Sequence, residues 1–365
     1  MTTAKIDLKK IGWDSFFEES FSPYQLNGLV PGRIIKVQRK GYIALTETGE
    51  TEVKVSGKFR FDATEKGAYP VVGDWVAIKK GVANEEGTIK TVLPRRNKFS
   101  RKVAGVTTEE QILVANVDMV WIVAGLDNEF NIQRIERYLT LVSESKSKPV
   151  VILNKSDLCD NPEERGEEVK KIAQNAPVHI LSAKLNQGLD ALDQYLEEGK
   201  TIAILGSSGV GKSTILNQLL GVDRQEVGEV RETDGHGRHI TAYRELFMMP
   251  KGGMIIDNPG VREMQLWSKG EGISEMFRDV EEIIQQCKFT DCNHENAPDC
   301  AVKEALDTGK LDPRRYAHYL KLKQEVEVLA IKQKNMVRRA EKTKWKDTAK
   351  QGREIRKYRT REVDY

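Results

Sequence analysis

The sequence predicts a multidomain protein with a small OB-like N-terminal β-barrel, a central α/β domain and a helical C-terminal module. Residues 28–95 contain five short β-rich runs separated by Gly, Pro and Asn, a spacing typical of a small barrel. From about residue 110 to 265, apolar runs alternate with helical stretches, as expected for a mostly parallel buried sheet. Beyond residue 270 the pattern is helical and is interrupted by a Cys/His cluster.

The bulk composition limits the classes of protein to consider. The chain has 365 residues, of which 31% are charged and 39% hydrophobic, as in globular proteins of two or three domains. No apolar run reaches the length of a membrane span, and the N-terminus lacks the apolar core of a secretory signal. Four cysteines do not make a disulfide scaffold. We expect a cytoplasmic protein without membrane contact, and we take it to be a monomer.

Changes in pattern divide the chain into five segments. These are a lead-in (1–27) with the apolar anchors Trp13, Phe16, Phe17 and Phe21, the OB-like barrel (28–103), the α/β domain (104–268), the helical Cys/His module (269–330) and a basic helical tail (331–365). Barrels of this type often bind nucleic acid, but this one could equally serve only to pack against its neighbour. The sequence leaves both readings open.

The positive charge is concentrated at the C-terminus. The whole chain carries a net charge of +3, whereas residues 331–365 contain 13 Lys and Arg against 5 Asp and Glu. A basic tail of this kind is typical of nucleic-acid binding and equally of a solvated charged helix. Trp345 and Tyr358 in this tail could stack on unpaired bases or pack the helix, and neither reading is preferred.

A phosphate-binding loop is the strongest motif. The stretch GSSGVGKS at 206–213 fits GxxxxGK[ST] and lies between an apolar strand and an amphipathic helix. Glycine backbone N–H groups can close around phosphate oxygens, Lys212 adds a positive charge, and the Ser213 hydroxyl can bind Mg²⁺. The predicted phosphate-site residues are Gly206, Ser207, Ser208, Gly209, Val210, Gly211, Lys212, Ser213 and Thr214. This motif predicts an NTPase without naming the base.

Two further strand ends predict that the base is guanine. NKSD at 154–157 follows the apolar strand PVVIL, and SAK at 182–184 follows VHIL. The Asp157 carboxylate can accept hydrogen bonds from guanine N1–H and the exocyclic amine, a pattern that adenine lacks. A polar turn would explain NKSD alone but not both stretches together. The predicted base-site residues are Asn154, Lys155, Ser156, Asp157, Ser182, Ala183 and Lys184.

The fourth motif, DNPG at 257–260, ends the strand GMIID. Asp257 is placed to hold Mg²⁺ through water, and the Gly260 N–H to contact the γ-phosphate. In an ordinary GTPase the guanine motif follows the phosphate loop, whereas here it precedes it. Because all four motifs fall at strand ends, where α/β proteins bind ligands, chance is a poor explanation. The sequence therefore predicts a P-loop GTPase whose motif order is circularly permuted.

The Cys/His cluster predicts a metal site. Cys287, Cys292, His294 and Cys300 lie within 14 residues and supply four N/S ligands. A closed tetrahedral set of this type indicates one structural Zn²⁺, although unliganded buried cysteines are the alternative. We expect zinc removal to unfold this module and not the sheet. Cys159 lies outside the cluster, and we expect it to be an ordinary core or surface residue.

Rotated GTPase motifs, a β-barrel before them and a Cys/His cluster behind them together resemble one family over roughly residues 28–330. This is the circularly permuted ribosome-small-subunit-dependent GTPase A family, also called RsgA or YjeQ. The resemblance implies hydrolysis of GTP to GDP with Mg²⁺, stimulation by the small ribosomal subunit, and a role in that subunit's late maturation. It also implies rRNA contacts, for which we expect Arg95, Arg96, Arg101 and Lys102 of the basic connector PRRNKFSRKV (94–103) and the tail.

The family's switch-loop pattern, Gly-x-His-Thr-Thr, corresponds here to GRHIT. The resemblance implies that His239 positions water, with Lys212 the other catalytic residue and His236 a second candidate. Ile240 replaces the first Thr, so Thr241 becomes the Mg²⁺ candidate. Val261 stands where many GTPases carry a water-positioning Gln, which predicts slow turnover unless a partner completes the site. Gly209, where potassium-activated relatives tend to have Asn, predicts no potassium site.

The motif order also predicts a route for coupling. The γ-phosphate contact at 257–260 leads directly into the Cys/His module, so loss of γ-phosphate could move that module. Two other functions remain open. One is a GTPase acting on another RNA or protein, for instance in tRNA modification or stress control. The other is an RNA-binding sensor of GTP and GDP with little hydrolysis. The Ile240 departure also leaves room for a diverged paralogue.

Overall fold

The structure is a computed structural model. It describes residues 5–63, 66–81, 85–102, 110–221, 244–257, 271–289, 292–294, 297–331, 334, 335 and 338. All structural statements below refer to these residues.

The N-terminal barrel predicted from the sequence is confirmed. Its five strands form a sheet in the order β1-β2-β3-β5-β4, which closes because β4 also pairs with β1. All pairs are antiparallel except β3 with β5. The short helix α2 (Gly57–Asp62) and a 3₁₀ turn (Lys66–Ala68) lie between β3 and β4. The strands are β1 (Val30–Val37), β2 (Tyr42–Thr46), β3 (Gly49–Val55), β4 (Trp75–Lys79) and β5 (Gly87–Val92).

The lead-in is packed into the molecule. It forms a 3₁₀ turn (Leu8–Ile11) and helix α1 (Ser15–Gln25), whose first turns are capped by Asp7 and Asp14 side chains. Three of the four predicted anchors, Trp13, Phe17 and Phe21, are buried, and the Trp13 ring lies 4.7 Å from that of Trp75 in the barrel. Phe16 is exposed.

The central domain contains the predicted parallel sheet, with strand order β10-β9-β8-β11-β13-β12. The first five strands are parallel. β8, β9, β11 and β13 are largely buried because both faces are covered, which explains their continuous apolar runs, whereas β10 at the edge is half-buried. The sequence did not predict β12, which pairs antiparallel with β13 and also with β1, so the two sheets are continuous. The strands are β8 (Met119–Gly125), β9 (Lys148–Asn154), β10 (Val178–Ile180), β11 (Thr201–Leu205), β12 (Glu245–Met248) and β13 (Met254–Asp257).

Helices and 3₁₀ turns connect these strands. They are α3 (Ile132–Glu144), α4 (Pro162–Ala173), α5 (Lys212–Leu220) and turns at Ser156–Leu158 and Leu189–Tyr195. The basic stretch 94–103, expected to be a connector, instead contains β6 (Lys98–Lys102), which pairs antiparallel with β7 (Glu110–Ala115).

The C-terminal module is helical, as predicted. It contains α6 (Glu271–Met276), α7 (Arg278–Gln285), α8 (Ala301–Asp307) and a further helix at 313–331. The helix at 313–331 is held to α3 of the central domain by charged side chains, including Arg137 and Glu325, whose Nη2 and Oε1 atoms are 2.7 Å apart. Among the described residues, no helix combines the length and apolar character needed to cross a bilayer.

Candidate nucleotide-binding site

Four sequence motifs meet at one edge of the central sheet. β9 ends at Asn154, β10 is followed by Ser182, β11 by Gly206, and β13 ends at Asp257. Because these strands are parallel, their carboxyl ends lie side by side, which is where open α/β sheets bind ligands. Asp257 is in register with Ile204, so it lies beside the start of the phosphate loop.

The Asn154 side chain joins three of these motifs. It is only 2% exposed, its Nδ2 donates to the Val210 carbonyl at 2.8 Å, and its Oδ1 accepts from the Ala183 N–H at 2.9 Å. Gly211 makes this approach possible, since a Cβ there would lie 2.2 Å from Asn154 Nδ2. The guanine motif, the SAK turn and the phosphate loop are thus fixed relative to one another.

The acidic residue of NKSD is held at the rim of the site. Asp157 is exposed, and its Oδ1 accepts a hydrogen bond from the Ser182 hydroxyl at 2.5 Å. Ser182 and Ala183 are buried, whereas Lys184 is exposed. The Ser182 bond orients the carboxylate, so that the exposed Asp157 can meet two donors on a base.

Lys155 adopts a left-handed backbone conformation with φ of 66°. Its Nζ lies 2.5 Å from the Asp127 carboxylate, and this hydrogen bond holds the pKa of Asp127 below its usual value. Asp127 follows the carboxyl end of β8, a strand end that none of the four predicted motifs includes. The same strand-end rule that identified the other motifs would have found it.

The phosphate loop has the geometry that its sequence predicts. Gly206, with φ of 155°, leaves room for the Val123 carbonyl, which would lie 2.3 Å from a Cβ at this position. Lys212 Nζ donates to the carbonyls of Gly206 and Ser207, at 2.8 and 2.7 Å, so the ammonium lies over the loop. The predicted residues that remain exposed on the loop are Ser208, Gly209, Ser213 and Thr214.

Arg134 also reaches the loop, and nothing in the sequence pointed to it. It lies on α3 close to the Asn131 cap, and its Nη1 donates to the Ser207 hydroxyl at 3.1 Å. Only the tertiary packing of α3 against β8 and β9 brings the guanidinium to this point. Its positive charge therefore lies next to the loop built for phosphate.

The predicted metal ligands of the C-terminal module come together. The ligand atoms of Cys287, Cys292, His294 and Cys300 all lie within 4.8 Å of one another. His294 Nδ1 is 3.6 Å from the sulfurs of Cys287 and Cys300, which are themselves 4.0 Å apart. Tetrahedral zinc with Zn–S bonds of about 2.3 Å would separate two sulfurs by roughly 3.8 Å. The cluster therefore fits a zinc ion.

Comparisons with known proteins agree with this geometry. The family model of the RsgA GTPase matches residues 92–267. The chain is 42% identical over 351 residues to the small ribosomal subunit biogenesis GTPase RsgA of Opitutus terrae, covering 93% of this chain and 95% of that protein. The RsgA protein of Syntrophotalea carbinolica is 39% identical, with 96% and 98% of the two chains covered. The chain belongs to the RsgA GTPase family.

Solved structures of related proteins show the same fold. YjeQ from Thermotoga maritima matches with a TM-score of 0.60 and 29% identity, over 82% of this chain and 98% of that chain. YloQ, a circularly permuted GTPase, matches with a TM-score of 0.57 and 25% identity, over 82% of this chain and 95% of that chain. The permuted GTPase fold predicted from the motif order is therefore confirmed, and membership of the RsgA family makes the protein a GTPase.

Arg95, a residue expected to contact rRNA, has its guanidinium engaged within the barrel. Arg95 was expected to contact phosphates, but its Nη2 lies 2.6 Å from the fully buried Asp74 carboxylate. Arg95 also donates to the carbonyls of Gly67 and Tyr69. Burial raises the pKa of Asp74, which Arg95 opposes. Arg95 thus stabilises the barrel from within.

Of the other three connector residues, only Arg96 has a described side chain. Arg96 is partly exposed, pairs with Asp14 and lies over the rings of Phe16 and Phe17. Arg101 and Lys102 are in β6, and their side chains are outside the described part.

Several predicted site residues fall outside the described residues. They are Gly260 of DNPG, Val261, and the switch-loop residues His236, His239, Ile240 and Thr241. The basic tail beyond residue 338, with Trp345 and Tyr358, is outside as well.

Proposed function

We propose that this protein hydrolyses GTP in the biogenesis of the small ribosomal subunit, as a cytoplasmic monomer that binds the subunit and its rRNA. Relatives of about 40% identity over nearly the whole chain carry the name of that process. The observation that supports the nucleotide chemistry best is the Asn154 bridge, which locks the guanine motif, SAK turn and phosphate loop into one site.

Guanine selectivity would rest on Asp157. Its carboxylate accepts from the N1–H and amine of guanine, while the Lys184 backbone N–H of the SAK turn would donate to O6. The Ser182 and Ala183 N–H groups already donate to the Gln187 carbonyl and to Asn154 Oδ1. Lys155 would cover one face of the ring with its alkyl chain, positioned by its ion pair with Asp127. Adenine would leave the Asp157 carboxylate unpaired, at a large cost in affinity.

Phosphate binding would use the loop at 206–214. Backbone N–H groups and Lys212 hold the β- and γ-phosphates, and Arg134 adds positive charge beside Ser207. Ser213 and Asp257 offer the oxygen donors that Mg²⁺ prefers, with Thr241 as a third candidate. Bound Mg²⁺ would neutralise charge that develops on the phosphates in the transition state.

Water positioning is proposed for His239, with His236 second. Val261 at the position of the usual Gln leaves intrinsic turnover slow, so the subunit would complete the site. Gly260 would sense the γ-phosphate and pass its loss to the C-terminal module. In that module the Cys287, Cys292, His294 and Cys300 cluster would hold one structural Zn²⁺.

The experiment that tests this function is steady-state GTP hydrolysis by the purified protein, alone and with small ribosomal subunits. We expect slow hydrolysis of GTP, none of ATP, and stimulation of at least about tenfold by subunits, in the range that partner-completed GTPases allow. A matched pair of variants is His239→Ala and His236→Ala. His239→Ala should abolish stimulation by subunits while nucleotide affinity stays unchanged. His236→Ala should leave both the stimulation and the nucleotide affinity unchanged.

Two outcomes would contradict the proposal in different ways. Hydrolysis that subunits do not change would remove the ribosome from the function and leave the GTPase intact. GDP affinity with no single-turnover hydrolysis, even with subunits present, would make the protein a nucleotide sensor instead.

A further inference from the structure

Two clefts meet at the connector between the barrel and β6. The first has a volume of about 490 Å³ and lies between the lead-in and the N-terminal ends of β8, β9 and β11. The second has a volume of about 920 Å³ and lies beside α2 and β5 of the barrel. Arg96 and Asn97 line both clefts, so the two are neighbours that share a wall.

Exposed lysines line these clefts without an ionic partner. Six of them make no ion pair with any residue that the structure describes, and we call them the basic track. The basic track consists of Lys9, Lys146, Lys148 and Lys200 at the first cleft and Lys58 and Lys90 at the second.

The acidic residues of the clefts do not neutralise the basic track. Of the three facing the first cleft, Asp14 pairs with Arg96 and Glu198 with Lys10, whereas Asp118 accepts from the neutral Thr201 amide and offsets one of the four lysine charges there. Asp62 is the acidic residue that lines the second cleft. The surface therefore keeps an excess of positive charge over the length of both clefts.

The first-cleft part of the basic track lies at the opposite edge of the central sheet from the nucleotide site. Lys148 begins β9 and Asn154 ends it, so these ends are about 20 Å apart at roughly 3.3 Å per residue. Lys146 and Lys200 lie at the same N-terminal edge as Lys148. None of the six lysines belongs to the nucleotide-binding motifs.

We propose that the basic track is a binding surface for the sugar-phosphate backbone of RNA, running from the barrel across Arg96 to the N-terminal edge of the central sheet. A row of flexible, unpaired ammonium groups suits a repeating phosphate chain, because each contact releases condensed counterions and needs no base sequence. Arg96, fixed by Asp14 and two aromatic rings, marks the middle of the surface.

This inference rests on the proposed function only for the identity of the RNA, which would be rRNA. The surface itself was not among the contacts expected from the sequence, which placed the phosphate ligands on the connector and the tail. The basic track joins the barrel and the GTPase domain into one continuous surface for docking RNA. The nucleotide site remains accessible on the opposite side.

The test compares charge-neutralised pairs in the full-length protein. Lys146→Gln/Lys148→Gln removes two charges from the first cleft, and Lys58→Gln/Lys90→Gln removes two from the second. The control, Lys170→Gln/Lys171→Gln, removes two exposed charges from α4. Binding of a labelled oligouridine, of an RNA duplex and of small ribosomal subunits is measured across a range of KCl concentrations. GTP hydrolysis without RNA is measured in parallel.

We expect each basic-track pair to weaken oligouridine binding about 10- to 30-fold at moderate salt, and to flatten the slope of log K against log salt by about 1.4. The control pair should change both quantities little. Hydrolysis without RNA should be unchanged in all variants. Comparing the duplex with the oligouridine tells whether the surface prefers paired or single-stranded RNA.

Several results would overturn the inference. Unchanged affinity and slope in the basic-track pairs would do so, as would an equal loss in the control, which would indicate only net charge. Loss of subunit binding with unchanged oligouridine and duplex binding would identify an acidic protein as the partner. Conversely, if the expected RNA effects appear but subunits never stimulate hydrolysis, the surface stands and the ribosomal function fails.

Discussion

At the scale of single residues, Asn154 belongs to the guanine motif and also holds two other loops of the site together. Its side chain satisfies a carbonyl of the phosphate loop and an N–H of the SAK turn, and it is almost completely buried. A buried polar group that loses its partner costs about 1–3 kcal/mol. The relative position of base and phosphate sites therefore depends on one amide.

Substitution Asn154→Ala should lower both stability and nucleotide affinity. The Val210 carbonyl and the Ala183 N–H would lose their partner, so we expect a loss of about 2 kcal/mol or more in unfolding free energy. GDP affinity should fall at least about tenfold, since the two loops are no longer held together. Urea unfolding and titration with a fluorescent GDP analogue measure these effects.

The matched control is Asn161→Ala, which removes an exposed asparagine whose side chain makes no capping hydrogen bond at α4. It should change neither quantity appreciably. Parent-like GDP affinity in Asn154→Ala would mean that the loops hold their positions without this bridge.

Residues differed in how far their roles could be predicted. The position of Asn154 at a strand end placed it in the site, because the parallel strands fix where such ends meet. Its bridge between the phosphate loop and the SAK turn is visible only in the structure. The ion pair of Arg95 could not be predicted, because its partner Asp74 is 21 residues away and buried in the barrel fold. Local sequence cannot distinguish an arginine that faces solvent from one that closes on a buried carboxylate.

At the scale of elements, helix α3 connects the nucleotide site with the C-terminal module. Near its start Arg134 contacts the phosphate loop through Ser207. Two residues later Glu136, which is 2% exposed, accepts from Arg315 at 2.6 Å and lies 2.5 Å from His318. The buried pairing makes α3 and the helix at 313–331 one packed unit.

The Arg137–Glu325 pair allows a direct test of this contact. Its two hydrogen bonds, of 2.8 and 2.7 Å, are bidentate and partly buried. Arg137→Glu places two carboxylates together and should destabilise docking of the helix at 313–331 by about 1–3 kcal/mol. Hydrogen exchange of amides 314–331 measures this docking.

The reverse substitution Glu325→Arg should rescue the defect in the double variant, because opposite charges face each other again. Arg137→Glu and Glu325→Arg combined in one chain should therefore exchange like the parent. Additive losses in the double variant would show that the pair contributes through packing and not through charge.

Strands could be predicted from the sequence where apolar residues recur in a regular pattern. The five barrel strands and the five parallel strands were all found, since burial forces long apolar or alternating runs. β12 was missed because it has only four residues, too few to show a clear alternating pattern. β6 was missed because its charged residues read as a connector, and only pairing with β7 makes it a strand.

At the scale of the whole molecule, Arg33 of β1 joins the barrel to the GTPase domain. It is 2% exposed and donates to the Ile11 carbonyl and, at 2.7 Å, to the Thr201 hydroxyl of β11. A third hydrogen bond reaches the Asn116 carbonyl at 3.3 Å. Burial lowers its pKa to about 10, so it remains charged at neutral pH without a carboxylate in direct contact.

Substitution Arg33→Ala should therefore separate the unfolding of the two domains. It leaves three buried acceptors unpaired and opens a cavity, which together should cost about 2 kcal/mol or more, although removal of a buried charge offsets part of this. In calorimetry the parent should unfold its barrel and GTPase domain in one transition, and the variant in two. Added GDP should raise the midpoint temperature of the GTPase-domain transition only, because ligand binding stabilises the unit that holds the site.

Arg60→Ala, at an exposed barrel arginine, is the control and should leave a single transition. A single GDP-sensitive transition in Arg33→Ala would show that the continuous β1–β12 sheet alone keeps the domains together.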